Sequence, residues 1–243
     1  MNTNSKKVLW LIPARSGSKG IPDKNIKKLG NFPLLSYRIK SVLLTSGTYD
    51  LWVSTDSVYY AEIARSYGAE IPFIRPSELA SDTSSSMDVV LHAMKFANSI
   101  GNQYDYIGLL EPTSPFITSR QLDEAIYNLE NDKNGSSIVA VKESRPNKLF
   151  VQKQDKYLDI ISGNIKKLHS LTRQSFDKEI TPSGGFFISK WGQFLEHKTF
   201  YTPFTMGYEV DPIAGVEIDE NHDWLIAEFI LEKGLFKPTE IKK

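Results

Sequence analysis

The chain has 243 residues, 40% hydrophobic and 24% charged, with 29 basic side chains balanced by 29 acidic ones. That is room for one α/β domain with an insertion, without the cationic surplus of a duplex- or membrane-binding protein, so no nucleic-acid or membrane partner is expected. The absence of cysteine removes disulfides, thiolate nucleophiles and thiolate-ligated zinc.

Near the start, the apolar run after Lys6-Lys7 is short, is closed by Pro13, and leads to Arg15 and Lys19 instead of a cleavage site. No later run approaches the ~20 apolar residues of a membrane span, so a cytoplasmic location is expected. Val8–Ile12, Leu51–Ser54, Ile71–Ile74, Ile107–Leu110 and Ser137–Val141 are short runs of β-branched and large apolar residues and predict strands. Val89, Val90, Ala93, Met94 and Ala97 mark a helix entered through Ser86 and Asp88. In Gln121–Glu130, Leu122, Ala125, Ile126 and Leu129 share one helical face, and Thr118 and Gln121 stand at capping-box spacing. Strands alternating with helices imply an α/β architecture, a mostly parallel, doubly wound sheet covered on both faces. Residues 142–181 are polar with short apolar patches and predict a β-rich arm inserted between 1–141 and 182–243. Gly185–Ser189 and Val216–Ile218 predict further strands. Trp224–Leu231 predicts an apolar closing helix, stopped by Gly234 and Pro238.

Ligands of open parallel sheets bind beyond the carboxyl ends of the strands, which directs attention to the segments after each run. In the loop Ala14–Asn25, Gly17 and Gly20 allow close backbone approach to a phosphate, and Arg15, Lys19 and Lys24 supply the charge a triphosphate needs. The loop has neither P-loop spacing nor a Gly-x-Gly-x-x-Gly pattern, and a solvated basic turn is the competing account. Arg75 lies on the rim after the third run. The hydroxyls of Ser84, Ser85 and Ser86 suit base-edge hydrogen bonds or a helix cap, and capping alone would explain Ser84 and Ser85. Thr113 and Ser114, flanked by Pro112 and Pro115, form a rigid hydroxyl-bearing turn, though a plain strand-to-helix connection explains it equally well. Glu217 and Asp219, two apart on an expected strand, point the same way. They suit a Mg²⁺ that keeps several waters and takes its other ligands from phosphates. A solvent-facing acidic pair is the alternative. His92, His169, His197 and His222 lack metal-binding spacing, and His92 fits a partly buried core position.

Together these segments resemble the CMP-sialic acid synthetases, the cytidylyltransferases that activate nonulosonic acids. The likeness rests on Ile12 to Asn25, Val53-Ser54-Thr55-Asp56, Arg75-Pro76 through Leu79-Ala80 with Asp82, Pro112 to Pro115, Thr172-Arg173-Gln174 and Glu217-Ile218-Asp219, in that order. It implies a Rossmann-like nucleotidyltransferase domain and CTP as substrate. In the loop, Arg15, Ser18, Lys19 and Lys24 would hold the phosphates, with Gly17 and Asn25, while Arg75 and Ser86 would lie near the cytidine. The resemblance also implies Mg²⁺ (or Mn²⁺) on Asp219 and Glu217, and Glu111, Thr113, Ser114, Arg173 and Gln174 toward the sugar. Arg15, Lys19 and Asp219 would carry the catalysis. It further implies a homodimer in which residues 142–181 form the dimerisation arm and Arg173 reaches the partner's site.

Three positions depart from the family pattern. Glu111 stands where Gln is common before Pro-Thr-Ser-Pro, Ser183-Gly184 where Asn-Gly is frequent, and Glu217 where many members have Asp. Glu111 beside an anionic sugar acid suggests a modified nonulosonate. The expected function is therefore CMP transfer to a sialic or legionaminic type acid. The alternatives are a nucleotidyltransferase for another sugar (pseudaminic acid, Kdo) and a catalytically silent nucleotide-binding protein.

Overall fold

The computed structural model describes residues 6–81, 83–144, 150–152, 158–160 and 178–238. At its centre lies strand β1 (Lys7–Pro13), whose five inner residues are buried. Its side chains alternate across the sheet. Val8, Trp10 and Ile12 join one apolar cluster with Leu35, Ile39, Leu122 and Ala125, whereas Leu9 and Leu11 join another with Val89, Val90, Ala93 and Phe194. The period of two thus sends one strand's residues into two layers of helices.

Strand β1 is paired in parallel with β4 (Thr48–Ser54) on one side and β5 (Tyr106–Leu109) on the other. Two short strands, β2 (Lys28–Leu29) and β3 (Phe32–Pro33), form a separate ribbon before helix α1 (Leu34–Leu43). The six-stranded sheet runs β10-β6-β9-β5-β1-β4, with β6 at Ser137–Glu143, β9 at Ile180–Lys190 and β10 at Thr205–Glu209. Strands β10 and β6 are parallel, and β9 is antiparallel to β5, with Phe187 opposite Leu109. The fold is therefore the α/β sheet of mostly parallel strands that the sequence predicts, with one reversed strand. That reversal has a use: the first residues of β9 arrive at the rim where β1, β4 and β5 end.

Helix α2 (Val58–Ser66) follows β4, and α3 (Ser86–Ser99) begins at the Ser85 cap, whose side chain accepts from Met87 N at 3.0 Å. Helix α4 (Ser119–Asn131) carries the reciprocal capping box that Thr118 and Gln121 predict: Gln121 N donates to Thr118 Oγ1 at 3.3 Å, and Thr118 N to Gln121 Oε1 at 2.9 Å. Helix α5 (Trp191–His197) is short, and α6 (Asn221–Glu232) ends before Gly234.

Two predicted strands do not form. Around Ile71–Ile74 a single bridge, Trp52 to Glu70, continues the sheet, because Pro72 and Pro76 remove donors on either side of the segment. At Val216–Ile218, Ile218 N donates to Thr113 O at 2.8 Å, but no ladder develops, so Glu217 and Asp219 stand on a loop. The edge strand β10 is an addition to the sequence reading.

The chain divides into two compact units, residues 1–141 with 182–243 and residues 142–181. The second unit contains an antiparallel pair, β7 (Phe150–Gln152) and β8 (Leu158–Ile160), with Val151 opposite Asp159.

Candidate functional site

Beyond the carboxyl ends of β1, β4 and β5 lies a cavity of about 460 Å³. The loop after β1 forms one wall with Arg15, Ser18, Lys19, Gly20, Lys24 and Asn25. Arg75, Ser81, Ser84 and Ser86 form a second, and Glu111, Pro112, Thr113 and Asp219 a third. Ten of the residues singled out in the sequence line this space: Arg15, Ser18, Lys19, Lys24, Asn25, Arg75, Ser86, Glu111, Thr113 and Asp219. Gly17, Ser114 and Glu217 do not line it. Arg173 and Gln174 lie outside the described residues.

The loop is held by groups on other elements. Ser16 donates twice to Asp56, through its backbone N at 2.8 Å and its hydroxyl at 2.6 Å. Burial opposes ionisation of Asp56, but those two bonds and the Arg75 charge outweigh it and hold its pKa below the usual value. Asn25, buried, donates from Nδ2 to Arg15 O at 3.0 Å, and Tyr60 Oη donates to Asp23 at 2.8 Å. Neither Asp56 nor Tyr60 was assigned a role from sequence. The available signal was Asp56's place just past the end of a strand, but its partner lies 40 residues away.

Arg75 is 4% exposed, and its guanidinium is engaged by the fold. Its Nε donates to Ser54 Oγ at 3.0 Å, Nη2 to Ser54 O and Nη1 to Leu79 O at 3.4 Å. Burial pushes its pKa down to about 10, Asp56 opposing and Arg15 reinforcing the shift, so it stays charged at neutral pH. Arg15 Nη1 donates to Ala80 O at 3.3 Å, joining the loop to the segment after Arg75. Ser84 donates to Glu78 O at 2.7 Å, so it braces this wall, while the α3 cap itself belongs to Ser85. His92 is a part-buried member of this region, its ring 4.6 Å from that of Phe73.

Opposite the loop stand the acids. Lys24 Nζ donates to Ile218 O at 2.8 Å and pairs with Asp219 at 3.1 Å, while the Asp219 side chain remains 72% exposed. A Cβ at Gly20 would come within 2.5 Å of Asp219 O, so glycine is needed where the loop meets this segment. Glu111 is pushed up to about 7, by burial first and then by Glu217 and Asp219, with Lys24 and Arg38 opposing. Gly184 adopts φ +60°, and a Cβ there would meet Glu217 Oε2 and Ser114 Oγ at 2.9 Å and Glu111 Oε2 at 3.3 Å. Ser114 is fully buried and donates to Ser183 O at 3.2 Å, so it fastens the Pro112–Pro115 turn to the start of β9.

Among the described residues no three His, Cys, Asp or Glu side chains are grouped to hold a metal by themselves. Glu217 and Asp219 nevertheless offer hard oxygen donors next to a basic loop. That donor set fits an ion that relies on one or two carboxylates, waters and a ligand's phosphates.

A basic loop after the first strand and acids across the cavity, on a doubly wound sheet, define a nucleotide-handling α/β fold. A family profile described as cytidylyltransferase matches residues 9–175, and the chain belongs to that family. It is 33% identical to an N-acylneuraminate cytidylyltransferase of Escherichia coli over 93% of this chain and 52% of that protein. It is also 30% identical to a CMP-N,N'-diacetyllegionaminic acid synthase of Legionella pneumophila, over 93% of this chain and 97% of that protein. The chain thus spans about half the length of the first relative and nearly all of the second. Among solved structures, a CMP-2-keto-3-deoxy-manno-octonic acid synthetase in complex with CTP superposes with a TM-score of 0.65 at 14% identity, covering 94% of this chain and 99% of that one. At that identity the likeness speaks for the fold. Among the described residues, no helix is long and apolar enough to cross a membrane.

Proposed function

We propose that the chain transfers CMP from CTP to the anomeric hydroxyl of a nonulosonic acid of sialic or legionaminic type. The observation that carries this reading is the cavity itself, closed between a basic, glycine-containing loop and Asp219, with Lys24 bonded to both sides. The two relatives, named for sialic and legionaminic acid chemistry, support the acceptor class.

In this reading the loop N–H groups with Arg15, Ser18, Lys19 and Lys24 hold the triphosphate, with Gly17 giving room and Asn25 keeping the loop's shape. Arg75 and Ser86 define the base end, Arg75 mainly by fixing the wall that Ser84 and Ser86 present. Glu111 and Thr113 face the acceptor, and buried Ser114 keeps their turn in place. The acceptor oxygen attacks the α-phosphorus, its proton is lost, and the bond to the bridging oxygen breaks to release pyrophosphate. Positioning and fixed charge carry such a step, so no covalent nucleophile is required. Mg²⁺ (or Mn²⁺), held by Asp219 and Glu217, would supply neutralising charge at the phosphates when bound. The homodimer, with residues 142–181 as its arm and Arg173 and Gln174 reaching the partner's site, is proposed from the family resemblance.

The test is pyrophosphate release with CTP and Mg²⁺ across N-acetylneuraminic, legionaminic, pseudaminic and Kdo acids. Release with a sialic or legionaminic acid is expected, with Asp219→Ala lowering the rate by about a hundredfold or more. Release with Kdo or pseudaminic acid alone would move the acceptor class. CTP binding without release for any acid would favour a silent nucleotide binder.

A further inference from the structure

Helix α1 carries a charge that the proposed chemistry does not use. Arg38 is completely buried, and its Nη2 donates to Gly185 O at 2.7 Å. Its Nε and Nη1 have no hydrogen-bond partner among the described residues, and neither does the buried Ser183 Oγ. A guanidinium taken out of water with two unmatched nitrogens is costly unless a nearby negative charge compensates it. Arg38 grips the backbone where β9 turns into the site. One residue earlier, the Cβ position of Gly184 lies 3.3 Å from Glu111 Oε2 and 2.9 Å from Glu217 Oε2. The influence is mutual: Arg38 favours the ionised form of Glu111, and Glu111 favours the charged form of Arg38.

We propose that Arg38 is a positioning residue for the acid co-substrate, the buried counter-charge of Glu111, and that the two form one couple governing how tightly an anionic acceptor binds. This rests on the function proposed above for the acceptor. Three carboxylates, Glu111, Glu217 and Asp219, interact electrostatically at this end of the cavity, and an arriving sugar acid adds a fourth negative charge. With Arg38 behind it, Glu111 can present its oxygens to the acceptor's hydroxyls or amino substituents at a reduced cost in repulsion. Without Arg38, the full charge of Glu111 faces the acceptor. The couple never touches the triphosphate, so CTP should not register its loss.

The experiment is a double-mutant cycle on the full chain, reading KM for CTP and for the acid separately in the wild type, Arg38→Met, Glu111→Gln and the double variant. Arg38→Met is expected to raise the acid KM about tenfold while leaving the CTP KM within about twofold; adding Glu111→Gln should bring the acid KM back to within about threefold of Glu111→Gln alone. Equal Arg38→Met effects in both backgrounds, or a matching rise in the CTP KM, would overturn the couple and leave Arg38 a packing residue. Melting temperatures of the same four proteins need no acceptor. Rescue of the Arg38→Met loss by Glu111→Gln supports the couple even if every sugar acid fails as substrate, whereas additive losses overturn it. Should Arg38→Met be insoluble, Arg38→Lys carries the test. Retained charge predicts an acid KM within about threefold of wild type, and a tenfold rise would refute it.

Discussion

The two long walls of the cavity are built on opposite principles. On the loop side, Ser16, Asn25, Tyr60 and Arg75 make bonds of defined direction to Asp56, Arg15, Asp23 and Ser54. The loop's shape is thus set before any ligand arrives. On the carboxylate side, Glu111, Glu217 and Asp219 influence one another mainly through charge, and the buried Arg38 keeps two nitrogens without a partner among the described residues. Directional bonds give a template for the invariant part of a nucleotide. Charge balance can be retuned by a single substitution, which suits the part of the site that must distinguish acceptors.

That contrast can be tested by loosening each side in turn. Asp56→Ala removes both anchors of Ser16 and should lower kcat/KM for CTP by about tenfold or more, with the acid KM little changed. Steady-state kinetics varying each substrate separately would show it, and an equal rise in both KM values would mean the two sides are not separable. Gly184→Ala places a methyl group at positive φ against the Glu217 and Ser114 oxygens. It should cost about 1–3 kcal/mol of stability and raise the acid KM in preference to that of CTP. Thermal unfolding with the same kinetics checks it, and an unchanged melting point would mean β9 moves freely at its start. The smallest effect sharpens the comparison from outside the site. Thr118→Ala should lower stability by about 1 kcal/mol, a melting shift of about 2–4 °C, with activity unchanged.

The sequence was most legible where local physics and tertiary structure agree. Strand β1 announces itself through five consecutive apolar residues, and Thr118 with Gln121 through a spacing that closes within one turn. The loop Ala14–Asn25 is readable because it follows β1 directly. Ile71–Ile74 misleads: its apolar residues pack against the sheet, but flanking prolines deny them a ladder. Strand β10 was missed because its pattern of part-buried and exposed residues resembles a loop, and only pairing with β6 makes it a strand. Arg38 was invisible for a related reason. On a helix, a basic residue reads as solvent-facing, and only β9 passing over α1 buries it.

The bond from Lys24 to the Ile218 carbonyl spans 194 positions of sequence. Its consequence is temporal. On a ribosome the basic loop emerges early and waits, charged and open, through most of synthesis, because the segment that completes the cavity is made late. Such a distant closure belongs to the slow end of folding, so a nascent chain carries no finished site, and binding competence arrives in one late step.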